Sequence, residues 1–174
     1  MLKKPVKPRV TVRYLPQTNS VGAAIEDAYN TFQELRDEME DWRSNMEEKF
    51  SSTEKYSLVE DCASSLDAFA DNDTNIPSCI ADELIQYSYG KKVSKKSPYP
   101  RHLRLSNAQA ALEGALEAID VMIDQKTLEK NLDGKTEDEI DTLNTELSEL
   151  EDLKNTLEED KDAADGIEFP GMFG

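Results

Sequence analysis

The residues best suited to chemistry are few, and their types and spacing do not form a recognisable catalytic centre. His102 is the only histidine and stands among Lys and Arg residues, whereas a catalytic histidine works with an orienting acid and a nucleophile. Cys62 and Cys79 cannot complete a structural zinc site by themselves, because such a site takes four ligands. We therefore expect a protein that is not an enzyme and that uses no metal or cofactor.

One acidic stretch has a passing likeness to a calcium-binding loop. Asp71, Asp73 and Asn75 stand at its first, third and fifth positions. Ile76 takes the sixth position, where the calcium loop needs glycine for its turn. We expect no calcium site there, and the same polar cluster is typical of a turn between two helices.

The two cysteines favour a reducing compartment. A turn at 71–76 places Cys62 and Cys79 farther apart than the roughly 4.4–6.8 Å between α-carbons that a disulfide requires, and free thiols are typical of the cytoplasm. The N-terminus is basic without an apolar signal-peptide core, and no apolar run reaches the length of a membrane span. We expect a cytoplasmic protein without a membrane segment.

Periodic apolar residues predict the helices that would position any site. Between residues 20 and 50 they recur at alternating spacings of four and three, the heptad pattern of packed helices, and Ser20 can cap the helix start. We call this line the long seam; its members are Val21, Ile25, Ala28, Phe32, Leu35, Met39, Trp42 and Met46. Its bulky aromatic members favour packing within one chain over a tight coil between chains. We expect inter-helix contacts chiefly from Ile25, Phe32, Leu35, Met39 and Trp42.

Four further helices are predicted along the chain. They run over 51–70, over 77–89, from Ser106 onward, and from Thr136 to about residue 161. Capping-box spacing marks the starts at Ser51 and Thr136, Ser106 can cap the fourth helix, and Gly90 suits the residue after the third. The last two helices have a short connection, which predicts an antiparallel hairpin.

The expected fold class is all-α: an elongated helical bundle, or coiled-coil-like helical hairpins, with a short extended N-terminal arm. Val10, Val12 and Tyr14 alternate with polar residues as in a strand. A lone strand does not persist, and we favour an extended arm over pairing with another segment or chain. The predicted organisation is a basic arm (1–19), a three-helix acidic segment (20–90), a basic Pro-containing linker (91–104), a long helical hairpin (105–162) and an apolar tail (163–174).

Charge is distributed in blocks, and the formal net charge is −17. Residues 1–13 carry five basic and no acidic side chains, and residues 91–104 carry six basic and no acidic ones. Acidic side chains dominate the two blocks that follow these stretches, which disfavours generic binding to nucleic acid. The candidates for contact with an anion are Lys91, Lys92, Lys95, Lys96, Arg101 and Arg104.

Three functions fit these patterns. We favour a non-enzymatic helical protein–protein interaction protein (a scaffold, adaptor, assembly or structural component) that binds a protein partner or self-associates through its heptad seams and apolar tail. The tail residues that could contact a partner are Ile167, Phe169, Met172 and Phe173.

The two alternatives use charge. One is an acidic decoy that imitates DNA and occupies the cationic groove of a nucleic-acid enzyme, as phage anti-defence proteins do. The other is a nucleic-acid-handling accessory protein that uses residues 91–104, where Tyr99 could stack a base. The short length, acidic composition and predicted helix content would suit a bacterial or phage protein.

Overall fold

The computed structural model describes residues 11–71, 74–93 and 100–171, and most of these residues are helical. The elements in chain order are β1 (Val12–Ser20), α1 (Val21–Phe50), α2 (Glu54–Ala70), the short α3 (Ser78–Ala81), β2 (Leu84–Lys92), α4 (Arg101–Lys130) and α5 (Glu137–Asp165). The dominance of helix, which the long apolar periodicities predicted, is confirmed.

Three of the helices begin after a residue whose side chain caps the first turn. Ser20 accepts a hydrogen bond from the N–H of Ala23 at the start of α1, as predicted. Thr136 and Glu139 form the predicted capping box at the start of α5. The start of α2 was predicted two residues too early, because Thr53 rather than Ser51 caps it.

The N-terminal arm was the first wrong prediction. Residues 12–20 form β1, which pairs with β2 in an antiparallel two-stranded sheet. The register places Tyr14 opposite Gly90 and Ser20 opposite Leu84. The alternation of apolar and polar residues did indicate a strand, and its partner is another segment of the same chain.

The helix predicted over 77–89 was also wrong, because helix ends at Ala81 and a strand begins at Leu84. Gly90 therefore lies within β2 and does not end a helix. The apolar residues of this segment alternate at 85, 87 and 89, which is the period of a strand. That alternation prevails over the short helical pattern that includes Ile80 and Leu84.

The linker predicted over 91–104 is partly structured in the described residues. β2 extends to Lys92, and α4 begins at Arg101, five residues before the predicted cap at Ser106. Pro100 precedes the first turn of α4 and supplies no side-chain cap. The backbone of Pro100 is extended, as is usual for the residue that precedes the first turn of a helix.

Asn107 of α4 forms hydrogen bonds with the edge of β2 that faces away from β1. The N–H of Gly90 donates to Asn107 Oδ1 (2.7 Å), and Asn107 Nδ2 donates to the carbonyl of Gly90 (2.9 Å). A Cβ at residue 90 would lie 2.7 Å from Leu103 Cδ1, so a larger residue there would require the Leu103 side chain to move. Along an antiparallel ladder, residue pairs that bond to each other alternate with pairs that do not. Gly90 bonds to Asn107, so Gly90 and Tyr14 are a non-bonded pair, and so are Pro16 and Ser88 two residues further along. The missing N–H of Pro16 therefore lies on the outer edge of β1, which faces away from β2.

The core lies where α1 meets α2 and α4, while α5 packs against α4. Phe32 is fully buried and makes edge-to-face contacts with Tyr29 and Phe69, with ring centroids 5.8 and 5.0 Å apart. α4 and α5 run antiparallel: Lys126 pairs with Glu146 near one end, and Gln109 bonds to Asp165 near the other.

Candidate functional site

The long seam of α1 is used inside the chain. Ile25, Phe32, Leu35 and Met39 are each at most 1% exposed, so they hold α1 against its neighbours and offer no surface to a partner. Trp42 is only half-buried. These four residues belong to the buried core, and Trp42 lies at its margin.

Two of the predicted anion-contact residues are engaged within the chain. Arg101 Nε donates to Glu38 Oε2 (2.9 Å), and Arg104 bonds to the other carboxylate oxygen of Glu38. Burial opposes ionisation of Glu38, but the hydrogen bonds and charges of the two arginines outweigh burial and lower its pKa. These arginines fix the start of α4 against α1.

The remaining anion-contact candidates divide between the sheet and the segment outside the described residues. Lys91 is exposed and Lys92 is half-buried at the end of β2. Lys91 is paired in register with Arg13, so a residue from each basic stretch lies at the same end of the sheet. Lys95 and Lys96 lie outside the described residues.

The apolar tail packs back onto the helices as far as the structure describes it. Ile167 and Phe169 are half-buried and lie against the core, so their side chains are largely occupied within the chain. Met172 and Phe173 lie outside the described residues. A buried hydrogen bond from the Tyr29 hydroxyl to Asp160 joins α5 to α1 nearby, and burial together with this bond raises the pKa of Tyr29.

The candidate residues for catalysis or metal binding, His102, Cys62 and Cys79, lie on different helices. His102 is exposed on the first turn of α4. Cys62 is a free thiol in α2 whose pKa is raised by burial to about 11, and burial also raises the pKa of the free thiol of Cys79. Among the residues that the structure describes, no group of His, Cys, Asp and Glu could hold a metal ion.

Sequence reasoning missed a second apolar line on α4, which we call the outer seam. Its members recur at alternating spacings of four and three, and they are Asn107, Ala111, Gly114, Ala118, Val121, Gln125 and Leu128. A hydrophobicity count overlooks this line because it contains a glycine, two alanines and two amides. Its heptad spacing was readable from the sequence and would have found it.

β2 covers the first half of the outer seam. Besides the Asn107 contacts at Gly90, a Cβ at Gly114 would lie 3.4 Å from both Ile85 Cδ1 and Tyr87 Cβ, so the strand packs directly on the helix there. The strand begins at Leu84. Beyond that point, no strand formed by the described residues covers the outer seam.

The second half of the outer seam is exposed. Val121 is 57% exposed and Leu128 is 70% exposed, and Leu84, at the beginning of β2, is 71% exposed. A shallow cleft of about 270 Å³ lies between the start of β2 and α4, and Glu83 and Glu117 are among its lining residues. This exposed apolar line with acidic margins is the candidate functional site.

A second cleft, of about 770 Å³, lies beside Trp42. Lys55 and Arg101 lie 5.6 and 5.2 Å from the centroid of the Trp42 ring. Both cations have acidic neighbours in the cleft lining, Glu38 and Asp41. The lining of this cleft thus carries two acidic and two basic side chains.

None of the helices in the described residues has the length and apolar character needed to cross a membrane. Comparison of the chain with family models, with curated proteins and with solved structures found no match.

Proposed function

We propose that this chain is a non-enzymatic helical protein–protein interaction protein, an adaptor or assembly component that docks a helix of a partner on the exposed half of its outer seam. The observation that carries the proposal is the change of environment along one helix face. The outer seam packs against β2 at Gly114, whereas its members Val121 and Leu128 are exposed to solvent. Exposed apolar side chains in such a line are typical of helix-in-groove recognition.

The proposal includes coiled-coil-like packing between the partner helix and α4. Spacings of four and three keep one face of a helix toward its neighbour over several turns, and Ala118 allows close approach. The two free thiols support a place in the cytoplasm, where thiols stay reduced.

A designed peptide tests the docking. A capped 20-residue helix with leucine at heptad positions and Gln and Ala elsewhere is titrated into the ¹⁵N-labelled chain. We expect saturable shifts at Ala118, Val121 and Leu128. Leu128→Gln should weaken binding about tenfold, because an apolar contact of roughly 1–2 kcal/mol is lost.

The matched control is Leu58→Gln, since Leu58 is also an exposed helical leucine (49%) but lies on α2. This variant should bind the peptide as the unmodified chain does. Absence of saturable shifts on α4, or equal loss in both variants, would contradict the proposed function.

A second candidate function, contact with nucleic acid, is favoured by the register of the sheet. Pairing of Arg13 with Lys91 brings together basic residues that are far apart in sequence. A mobility shift with a 30-nucleotide DNA at low salt tests this candidate. The triple variant Arg13→Ser, Lys91→Ser, Lys92→Ser should abolish the shift, while Arg43→Ser, Lys130→Ser, Lys161→Ser should retain it; equal behaviour of the two would exclude the sheet end as the contact.

The acidic-decoy hypothesis remains a proposal that rests on net charge. Its test is competition for the cationic groove of a nuclease. Excess protein should displace bound DNA at low salt, and failure to displace it would remove this alternative.

A further inference from the structure

The margins of the exposed outer seam carry acidic side chains. Glu117 and Asp124 lie about 40° and 60° around the helix axis from Val121, on the same side of it. Glu83 lines the adjoining cleft. These three residues make no ion pair with another described residue. Asp124 also lines a cleft that includes Lys154 of α5, whose ammonium pairs with Asp120.

The cations of the same stretch are directed elsewhere. Lys126 pairs with Glu146 of α5 (2.6 Å). Lys130 stands two residues beyond Leu128, which places it roughly 200° around the helix axis, on the far side. The exposed seam is thus an apolar line whose margin is negative.

Charge argues against a second copy as the occupant. A second copy of this face would bring the same acidic margin to the interface, and each chain has a net charge of −17. Like charges placed across an interface oppose association. The favourable partner is one that supplies positive charge.

We infer that the exposed outer seam binds a cationic amphipathic helix, an inference that rests on the proposed function and specifies its partner. Such a helix places apolar residues at positions i, i+3 or i+4, and i+7 over Val121, Leu128 and Leu84. Its Lys or Arg residues, one position to either side of that line, meet the acidic margin. The apolar contacts hold the partner, and the charges select it.

Three peptides with the same leucine face and different flanks test the inference. The flanks are Lys, Gln or Glu, and binding is measured by fluorescence anisotropy in 50 and 300 mM NaCl. At the lower salt concentration the Lys peptide should bind roughly tenfold more tightly than the Gln peptide, and the Glu peptide more weakly than either. At 300 mM NaCl the preference for Lys should fall to about two- to threefold, because salt screens exposed charges.

Two triple variants with equal loss of charge separate the local margin from the net charge. Glu83→Gln, Glu117→Gln, Asp124→Asn should remove the preference for the Lys peptide. Glu47→Gln, Glu60→Gln, Asp61→Asn changes exposed acids of α1 and α2 and should keep it.

The outcomes distinguish this inference from the proposed function. Equal binding of the Lys and Gln peptides, or equal loss of preference in both triple variants, would overturn the inference and leave helix docking intact. Failure of all three peptides to bind would overturn both.

Discussion

The two halves of α4 carry the same heptad line into different surroundings. Between Asn107 and Gly114 the outer seam is small and polar, and a strand of the same chain fills it. Between Val121 and Leu128 it is larger and more apolar, yet the strand has ended and the side chains face solvent. Small side chains thus lie where β2 packs closely on the helix, and larger ones lie where the helix face is exposed.

The sharpest test of this comparison replaces one leucine in each half of α4 with alanine. Leu112 faces the core and is fully buried, whereas Leu128 is 70% exposed. Leu112→Ala should lower the free energy of unfolding by about 2–5 kcal/mol, because it leaves a cavity. Leu128→Ala should change it by no more than about 0.5 kcal/mol. Urea unfolding followed by circular dichroism gives both values, and a large cost at Leu128 would mean that the chain itself covers the distal half.

The two amides of the outer seam provide a second test. Asn107→Ala removes both hydrogen bonds to Gly90 and should cost roughly 2 kcal/mol, because each buried bond contributes on the order of 1 kcal/mol. Gln125→Ala, at an exposed position of the same seam, should be nearly neutral. Thermal unfolding of the two variants measures the difference. Equal midpoints would show that Asn107 does not anchor the strand.

The ion pairs that fix the covered end of α4 should give a dependence on pH. Because the pKa of Glu38 lies below its ordinary value of 4.5, its ionised form stabilises the fold above that pH. This contribution is lost as the pH falls through the lowered pKa. Glu38→Gln should reduce stability at pH 7 and flatten the decline in stability as the pH falls below 4.5.

The control for the pH series is the Gln125→Ala chain, which leaves the arginine pairs intact. It should keep the slope of the unmodified protein. Denaturant midpoints measured at half-unit steps of pH give the comparison, and an unchanged slope in Glu38→Gln would show that the contacts of Arg101 and Arg104 add no stability.

The smallest expected effect concerns thiol reactivity and leaves stability unchanged. Cys62 is buried, with a pKa of about 11, whereas Cys79 is half-buried. At pH 8 an aromatic disulfide reagent should therefore label Cys79 first. Single Cys→Ala variants assign each phase. Faster labelling of Cys62 would indicate that α2 opens from the core more readily than α3 does.

The sequence predicted the helices well where one period extends over many turns. The long seam of α1 and the capping box at Thr136 are examples, since both follow from local geometry. It failed at residues 84–89, where a short helical pattern and a strand alternation overlap and only pairing with β1 decides between them. Pairing across more than sixty residues is not encoded in either segment alone.

The candidate site was predicted less well than the fold. Leu128 and Val121 were not singled out, because the outer seam begins with small and polar residues. The tail residues Ile167 and Phe169 were favoured for partner contact because they are apolar near the end of the chain. Whether an apolar side chain finds its neighbour within the chain depends on tertiary packing, which spacing does not reveal.

Pro16 has a consequence for how this protein behaves at high concentration. A foreign strand that approached the outer edge of β1 would find no amide donor at the centre of that edge, and ladder growth would stop there. We expect the nine-residue strand to remain open without recruiting other chains into fibres. Most residues of β1 are exposed, and this single proline opposes edge-to-edge pairing between copies of the chain.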